Sequence, residues 1–165
     1  MRLYQRILGE RFTELAPEIQ ALHAQVGIKD GEITLRVSPL MQLLGYPPPC
    51  KDAPMWFATR EEDDTAIWLR QIKDRELRSE LWQAGPHIAE RMGAVTVTSA
   101  LVIEAGAVRL EPKAVRFFDI PLPKVLWPRV EAREWGDSGK YRFKIEVRAP
   151  LAGFVLLAYE GWLTP

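Results

Sequence analysis

The chain has 165 residues, of which 47% are hydrophobic and 27% charged, so it carries enough apolar side chains for the core of one ordinary globular domain. Its 22 basic and 22 acidic residues balance, which argues against a nucleic-acid or an anionic-membrane partner. No apolar run approaches the roughly 18 residues of a membrane-spanning helix. The one cysteine, Cys50, has no partner for an internal disulfide, so we expect a single cytoplasmic domain over residues 1–165.

The N-terminal part of the chain predicts helix. Apolar residues three and four positions apart predict a helix over residues 3–24, which Pro17 divides into two segments. Residues 31–37 alternate in polarity and predict a first strand, and residues 39–46 predict a short apolar helix. Three consecutive prolines at positions 47–49 then end regular structure.

From residue 55 onward, strand signals alternate with turn signals. Period-two alternation of apolar and polar residues is typical of a strand with one buried and one solvated face, and it is clearest in residues 140–149. Gly93 interrupts the longest segment and predicts a bulge or bend within it. The predicted later strands are residues 55–61, 65–72, 75–83, 87–104, 107–118, 129–135, 140–149 and 154–163.

Short connections make neighbouring strands antiparallel. About nine or ten such strands with one apolar face will curl, because sheet twist accumulates. A curled sheet covers its apolar face by closing on itself or by gripping a helix. We therefore predict a mainly β fold at the border with α+β: a single curved antiparallel meander, barrel-like or half-barrel, with the N-terminal helices as plug or lid.

Four polar side chains fall on the apolar faces of the predicted strands. They are Arg70, beside Trp68 and Ile72; Ser79, between Leu77 and Leu81; Glu90, between Ile88 and Met92; and Glu134, beside Val130 and Ala132. A lone buried charge is costly unless it is paired or the site is wet. Either Arg70 pairs with Glu90 or Glu134, or the four groups line a cavity that holds water or ligand, or they form a catalytic set.

Motifs of known chemistry are missing. No Gly-rich phosphate loop or dinucleotide fingerprint is present, so no cofactor is expected. His23 and His87 have no second ligand at metal-binding spacing, and no metal site is expected. No nucleophile elbow surrounds any serine, so no catalytic residue is assigned. Cys50, after the prolines, is interpreted as an ordinary thiol in an exposed loop.

Two segments and several single residues together resemble a known family. The segments are residues 120–123 (Ile-Pro-Leu-Pro) and residues 159–165 (Tyr-x-Gly-Trp-Leu-x-Pro). The weaker landmarks are Leu22-His23, Gly31, Trp68 with Arg70, Ser79, Glu90 with Gly93, Pro128, Phe143, and Pro150 with Gly153. From about residue 8 to the C-terminus, the chain is similar to an uncharacterised bacterial family, domain of unknown function 4166.

The resemblance assigns the chain to a family but predicts no activity for it, because the family itself is uncharacterised. Members often follow a saccharopine-dehydrogenase-like, NAD(P)-binding Rossmann domain. The present sequence contains no such domain, so the resemblance implies a stand-alone form with an NAD(P)-binding protein as partner. The sequence departs from the family pattern with Asp119 where glycine is expected and Met92 where an aromatic residue is expected.

The first functional hypothesis is a non-catalytic domain that encloses an apolar or amphipathic small molecule, such as a lipid or acyl group. Arg70 would bind an anionic head, because a guanidinium pairs bidentately with a carboxylate. The expected apolar wall consists of Trp68, Trp82, Phe143 and Tyr159. The candidate ligand-binding residues are Arg70, Ser79, Glu90, Glu134, Trp68, Tyr159 and His23.

Two further hypotheses stand beside the first. An enzyme, or the substrate domain of an oxidoreductase-associated system, would bring Arg70, Ser79, Glu90 and His23 together. A structural interaction module would instead have a solid core and an exposed patch near residues 120–127. The interior separates the three: an apolar cavity favours the first, clustered ionisable groups the second, and a filled core the third. The oligomeric state is left open by the sequence.

Overall fold

A computed structural model describes residues 2–165 of the chain. Within them, ten strands form a closed antiparallel barrel, and an eleventh, very short strand lies at its edge. Nearly all helix precedes residue 44. The mainly β fold is confirmed, and the sheet forms a full barrel rather than a half-barrel.

The helical segments are α1 (Leu3–Leu8), a 3-10 segment (Gly9–Glu14), α2 (Pro17–Ala24), α3 (Pro39–Leu43) and a 3-10 turn (Lys124–Leu126). The strands are β1 (Gly27–Val37), β2 (Cys50–Glu62), β3 (Thr65–Ile72), β4 (Arg75–Ala84), β5 (His87–Met92), β6 (Val95–Glu104), β7 (Ala107–Phe117), β8 (Ile120–Pro121), β9 (Arg129–Asp137), β10 (Lys140–Arg148) and β11 (Val155–Leu163). Most hairpins close with two residues, which is why successive strands are antiparallel neighbours.

The predicted helix over residues 3–24 is present as three pieces. Gly9, with a φ of 57°, ends α1. Pro17 begins α2, where its missing N–H would have had no helical partner in any case. The apolar side chains of the three pieces are buried in the core: Leu3, Tyr4, Phe12, Leu15, Ile19 and Leu22. These pieces therefore act as the predicted plug.

The barrel closes through two pairings between strands that are distant in sequence. β1 pairs with β11 along residues 31–37 and 157–163. β7 pairs with β9 over only three positions, residues 108–110 with 132–134. Beyond Leu110 the two strands separate, and β8 takes the free edge of β7. The remainder of this seam is covered by the 118–128 connection.

Two expectations about the strands are corrected. Gly93, with a φ of 60°, lies in a two-residue turn between β5 and β6, so residues 87–104 form a hairpin and not one bulged strand. A positive φ is what such a tight hairpin turn requires. Cys50 begins β2 and is half-buried, with Sγ 3.9 Å from the Ile33 carbonyl oxygen, so it does not lie in an exposed loop.

The two ends of the barrel differ. At the end that we call the plug end, α1 and α2 cover the hairpin turns. The Ala16 N–H donates to the Gly106 carbonyl at 2.8 Å, and the Gly139 N–H donates to the Glu18 carboxylate at 3.1 Å. At the opposite end, which we call the rim end, the three longest connections emerge: residues 38–49, 118–128 and 149–154.

Candidate functional site: a barrel cavity

A cavity of about 260 Å³ lies inside the barrel. This volume is near the lower end of the roughly 300–1,000 Å³ that small-molecule sites occupy. Its wall is mainly apolar, and the chief apolar contributors are Met55, Phe57, Trp68, Leu81, Ile88, Val97, Leu110, Val130, Phe143, Ile145 and Leu157. Ten strands make a wider barrel than the eight whose side chains just fill the interior, which accounts for the unfilled space.

In β10, the period-two alternation seen in the sequence agrees with which side chains face the cavity. Phe143, Ile145 and Val147 all line it, whereas Lys144 is exposed on the outer face. Phe143 is buried, but Ile145 and Val147 are only half-buried, because they face the open part of the cavity instead of packed neighbours. The interior is therefore packed toward the plug end and hollow toward the rim end.

Arg70 and Glu90 line the cavity, and together with the buried Ser79 they form a polar group that we call the central cluster. Arg70 is 8% exposed, and its Nη1 donates to Ser79 Oγ at 2.8 Å. Its Nη2 lies 3.6 Å from Glu90 Oε1. The guanidinium carbon lies 5.8 Å from the centre of the Phe57 ring and 5.5 Å from that of Trp68. Pairing of Arg70 with Glu90, the first candidate, is thus present.

The central cluster is not saturated with hydrogen bonds. The 3.6 Å between Arg70 and Glu90 is an ion-pair contact but too long for a hydrogen bond. Within residues 2–165, Glu90 Oε1 is buried and has no hydrogen-bond partner, and the guanidinium donates only to Ser79. A guanidinium has five N–H donors. Both a donor and an acceptor are therefore available to a molecule in the cavity.

Burial and the charges of the central cluster affect the nearby ionisable groups. Burial raises the pKa of Tyr159 to about 12, although Arg70 opposes the shift. Burial also raises the pKa of Tyr46, with Glu90 adding to the effect. Burial by itself would lower the pKa of Arg70, but Tyr159 and Glu90 outweigh it and the pKa is raised. Arg70 is therefore charged, and the two phenols are neutral, across the physiological range.

A second polar group fastens the plug. We call it the plug cluster (Tyr4, His23, Glu134 and Tyr141). Glu134 Oε1 accepts a hydrogen bond from the Tyr4 hydroxyl at 2.9 Å, and Oε2 lies 2.9 Å from His23 Nε2. The Tyr4 and His23 rings stack with their centres 3.6 Å apart. Burial and then the Glu134 carboxylate raise the pKa values of Tyr4 and Tyr141 well above the usual value.

The seven candidate residues therefore separate into groups. Arg70, Ser79 and Glu90 meet, and Trp68 and Tyr159 line the cavity beside them. Glu134 also lines the cavity, but it lies within 4.0 Å of His23 and not of Arg70, so it is not the partner of Arg70. His23 belongs to the plug cluster.

Trp82 was assigned to the wrong face. It alternates with the inward residues Ser79 and Leu81, so its ring lies outside the barrel, where the Arg91 guanidinium lies 5.6 Å from the ring centre. The expectation that Trp82 belongs to the cavity wall rested on its aromatic character, whereas its position in β4 places it on the outer face.

Met41 and Tyr46 are among the cavity residues that the sequence did not predict. Both belong to the connection after β1, where no strand period predicts which way a side chain points. The Tyr46 hydroxyl donates to Met92 Sδ at 2.9 Å. This contact accounts for one departure from the family pattern, since Met92 supplies an acceptor that an aromatic ring would lack.

Asp119 accounts for the other departure. Its φ of 62° lies in the left-handed region that favours glycine, which is the residue expected there. Aspartate is one of the few other residues that adopt this conformation readily. Its carboxylate also lies 2.8 Å from Arg91 Nη2.

Two structural findings concern metals and membranes. Within residues 2–165, no three His, Cys, Asp or Glu side chains lie close enough together to hold a metal ion. No helix in that range combines the length and apolar content needed to cross a bilayer.

The class that these observations define is an antiparallel β-barrel with an internal, mainly apolar cavity and an N-terminal helical plug. Residues 15–163 match the model of the family described as Domain of unknown function (DUF4166), and the chain belongs to that family. The resemblance drawn from the Ile-Pro-Leu-Pro and Tyr-x-Gly-Trp-Leu-x-Pro segments is thereby confirmed. No curated protein matches the sequence.

The fold is similar to that of a solved structure. That structure is of a protein with unknown function from the DUF3598 family of Nostoc punctiforme PCC 73102, with a TM-score of 0.51 and 11% sequence identity. The alignment covers 86% of the present chain and 47% of that protein, so this chain spans about half of its length. The likeness shows a shared fold alone.

Proposed function

We propose that the barrel is a binding protein for a small amphipathic molecule, held with its apolar body in the cavity and its polar head at the central cluster. One observation carries this proposal: an unsaturated Arg70–Glu90 pair faces an otherwise apolar cavity. Buried polar groups are nearly always hydrogen-bonded, so an orphaned carboxylate oxygen beside unused guanidinium donors calls for a further partner. A ligand that offers both a donor and an acceptor satisfies the two groups together.

The charge balance of the cluster favours an uncharged head. Arg70 and Glu90 compensate each other, so an added anion would gain from the first and be repelled by the second. A hydroxyl or a carboxamide donates to the Glu90 carboxylate and accepts from Arg70 at no such cost. The ligand class that we propose is therefore a small alcohol or amide with an apolar tail, and not the anionic amphiphile that Arg70 alone suggested.

The same geometry does not favour catalysis. Ser79 Oγ accepts a hydrogen bond from Arg70, which lowers the electron density that a nucleophile needs. The histidine that the enzyme hypothesis required is bonded to Glu134 in the plug cluster. These contacts therefore favour the non-catalytic binding hypothesis over the enzyme hypothesis.

A dye-displacement titration tests the proposal. N-phenyl-1-naphthylamine, a neutral dye that fluoresces in apolar sites, is expected to bind the protein and to be displaced by decanol more effectively than by decanoate. Arg70→Met and Glu90→Gln should each weaken decanol binding by roughly tenfold, the value of one hydrogen bond to a charged group. Arg78→Met, which removes an exposed guanidinium from the neighbouring strand, is the matched control.

Three results would count against the proposal: no dye binding, displacement by decane as strong as by decanol, or equal losses in Arg70→Met and Arg78→Met. A preference for decanoate over decanol would mean that the bound head group is anionic, as Arg70 alone suggested. Circular dichroism of each variant shows whether a loss of binding reflects unfolding.

A further inference from the structure

The exposed apolar side chains of the barrel concentrate at the rim end. Each of the three rim connections, residues 38–49, 118–128 and 149–154, carries large apolar side chains in solvent. Two examples from each are Leu43 and Leu44, Phe118 and Ile120, and Leu151 and Phe154, with exposed fractions from 52% at Phe154 to 83% at Leu43. Large exposed apolar side chains gathered at one end of a domain are typical of an interaction site.

These connections surround the mouth of the cavity. Met41, Pro128 and Leu156 line the cavity, and each lies within three residues in sequence of an exposed apolar side chain of its own connection. At the plug end, in contrast, the cavity is closed by the buried Tyr4. The exposed apolar residues and the cavity opening thus share one end of the molecule.

Unpaired cations accompany the apolar residues. Six exposed basic side chains in the rim connections, in the flanking strand ends or in the β3–β4 turn at the same end form no ion pair, hydrogen bond or ring contact with any described residue: Lys51, Lys73, Arg75, Arg116, Lys124 and Arg129. Most other lysines and arginines in the described chain are engaged, as Arg109 is with Glu104 and Lys144 with Glu160. Near the plug end, Arg60 is comparably free. Six of the seven free cations among residues 2–165 thus lie at the rim end.

Four exposed acids lie at the same end, so they offset the six free cations only in part: Asp52, Asp74, Glu76 and Glu131. The connections 38–49 and 149–154 contain no charged residue, and the one acid in residues 118–128, Asp119, is paired with Arg91. At the plug end, by comparison, the turn between β2 and β3 and its flank read Glu-Glu-Asp-Asp at residues 61–64. The rim end therefore combines exposed apolar side chains with a modest excess of free basic over acidic side chains.

We infer that the rim end docks on an anionic lipid membrane surface. Apolar side chains on separate loops enter the acyl boundary, while lysine and arginine side chains beside them reach lipid headgroups. This inference goes beyond the proposed function, because the rim binds lipid whether or not the cavity holds a ligand, but it gives the cavity mouth direct access to the membrane.

Vesicle co-sedimentation tests the inference with the full chain. We expect the protein to sediment with phosphatidylcholine–phosphatidylserine vesicles, and to do so at least tenfold less with phosphatidylcholine alone or at high salt. The double variant Leu43→Ser/Leu151→Ser should lose binding to both kinds of vesicle. The double variant Lys124→Glu/Arg129→Glu should lose the preference for phosphatidylserine.

The plug-end half of the barrel offers matched controls. Ile28→Ser removes a 68% exposed apolar side chain, and Arg60→Glu reverses a free cation, both away from the rim. Neither should change sedimentation. Absence of sedimentation with phosphatidylserine vesicles, or equal losses in rim and control variants, would overturn the inference. Concentration-dependent dimerisation that the rim variants abolish, without any vesicle binding, would instead identify the rim as a protein interface.

The dye titration separates this inference from the proposed function. Rim variants should still bind N-phenyl-1-naphthylamine, because their substitutions lie outside the cavity. Dye binding without vesicle binding would refute the membrane inference alone. Vesicle binding without dye binding would refute the cavity proposal alone.

Discussion

The two halves of the barrel interior use polar residues in opposite ways. Near the plug end, the Glu134 carboxylate has a partner at each oxygen, Tyr4 and His23, and stacked rings surround it. On the cavity wall, the Glu90 carboxylate has one ion-pair contact and an orphaned oxygen. Both carboxylates lie on inward strand faces. The difference indicates that Glu134 is fully engaged within the fold, whereas Glu90 keeps a hydrogen-bonding position that no described residue fills.

The largest expected effect concerns the packed half. Phe143→Ala should reduce the free energy of unfolding by about 3–5 kcal/mol, as truncation of a core aromatic does. Phe143 is buried, packs near Tyr141 and Tyr159, and crosses over Gly161, where a Cβ would meet its ring. Urea titrations of this variant and of Lys144→Ala measure the difference, and the exposed lysine should stay within about 0.5 kcal/mol of neutral. Equal losses would refute the assigned strand parity.

A truncation in the hollow half should cost less. Ile145→Ala, two residues further along the same inward face, should reduce the free energy of unfolding by about 1–2 kcal/mol, because its side chain already faces open space and removing it leaves little new void. The same urea titration applies. A loss as large as that of Phe143→Ala would mean that the rim half is packed after all.

Removing one tyrosine hydroxyl from each half compares how much a single hydrogen bond contributes to stability in the two halves. Tyr4→Phe leaves a Glu134 oxygen without its donor and should cost about 1–3 kcal/mol. Tyr46→Phe should cost less than about 1 kcal/mol, because it removes only a contact to the weak acceptor Sδ of Met92. Thermal unfolding ranks the two. A larger loss of stability in Tyr46→Phe than in Tyr4→Phe would contradict the view that the plug cluster, and not the cavity wall, stabilises the fold.

The central ion pair should show measurable but limited coupling. In a double-mutant cycle of Arg70→Met and Glu90→Gln, we expect a coupling of about 0.5–2 kcal/mol, because the 3.6 Å contact is long and Glu90 is partly solvated. The second substitution should recover part of the loss caused by the first. A parallel cycle with Glu134→Gln should show less coupling. Coupling below about 0.5 kcal/mol with Glu90 would reject the pairing.

The smallest expected effect is that of Tyr159→Phe, which should change the free energy of unfolding only at alkaline pH. Burial raises the pKa of Tyr159 to about 12 from an ordinary value of 10.0, so the unfolded chain releases this proton first. Its contribution to stability is complete below about pH 10 and falls as the pH rises toward 12. Tyr159→Phe should therefore have a flatter stability profile between those values. An unchanged alkaline profile would contradict the raised pKa.

The sequence was sufficient to predict the mainly β fold, the helical plug and the inward faces of most strands, because each depends on local periodicity. Period two identified Arg70, Ser79, Glu90 and Glu134 as inward residues before any contact was known. It also made Phe143 inward and Lys144 outward. Where periodicity was not applied, at Trp82, the prediction was wrong.

Other features depended on contacts between distant parts of the chain, which no local pattern contains. The pairings β1–β11 and β7–β9 closed the barrel, and ten strands left it wider than its side chains fill. The selection of Glu90 over Glu134 as the partner of Arg70 depended on where the plug lies, since Tyr4 and His23 occupy Glu134. Likewise, only the topology brings three separate connections with exposed apolar side chains to one end, because a hairpin meander sends alternate connections to opposite ends of the barrel.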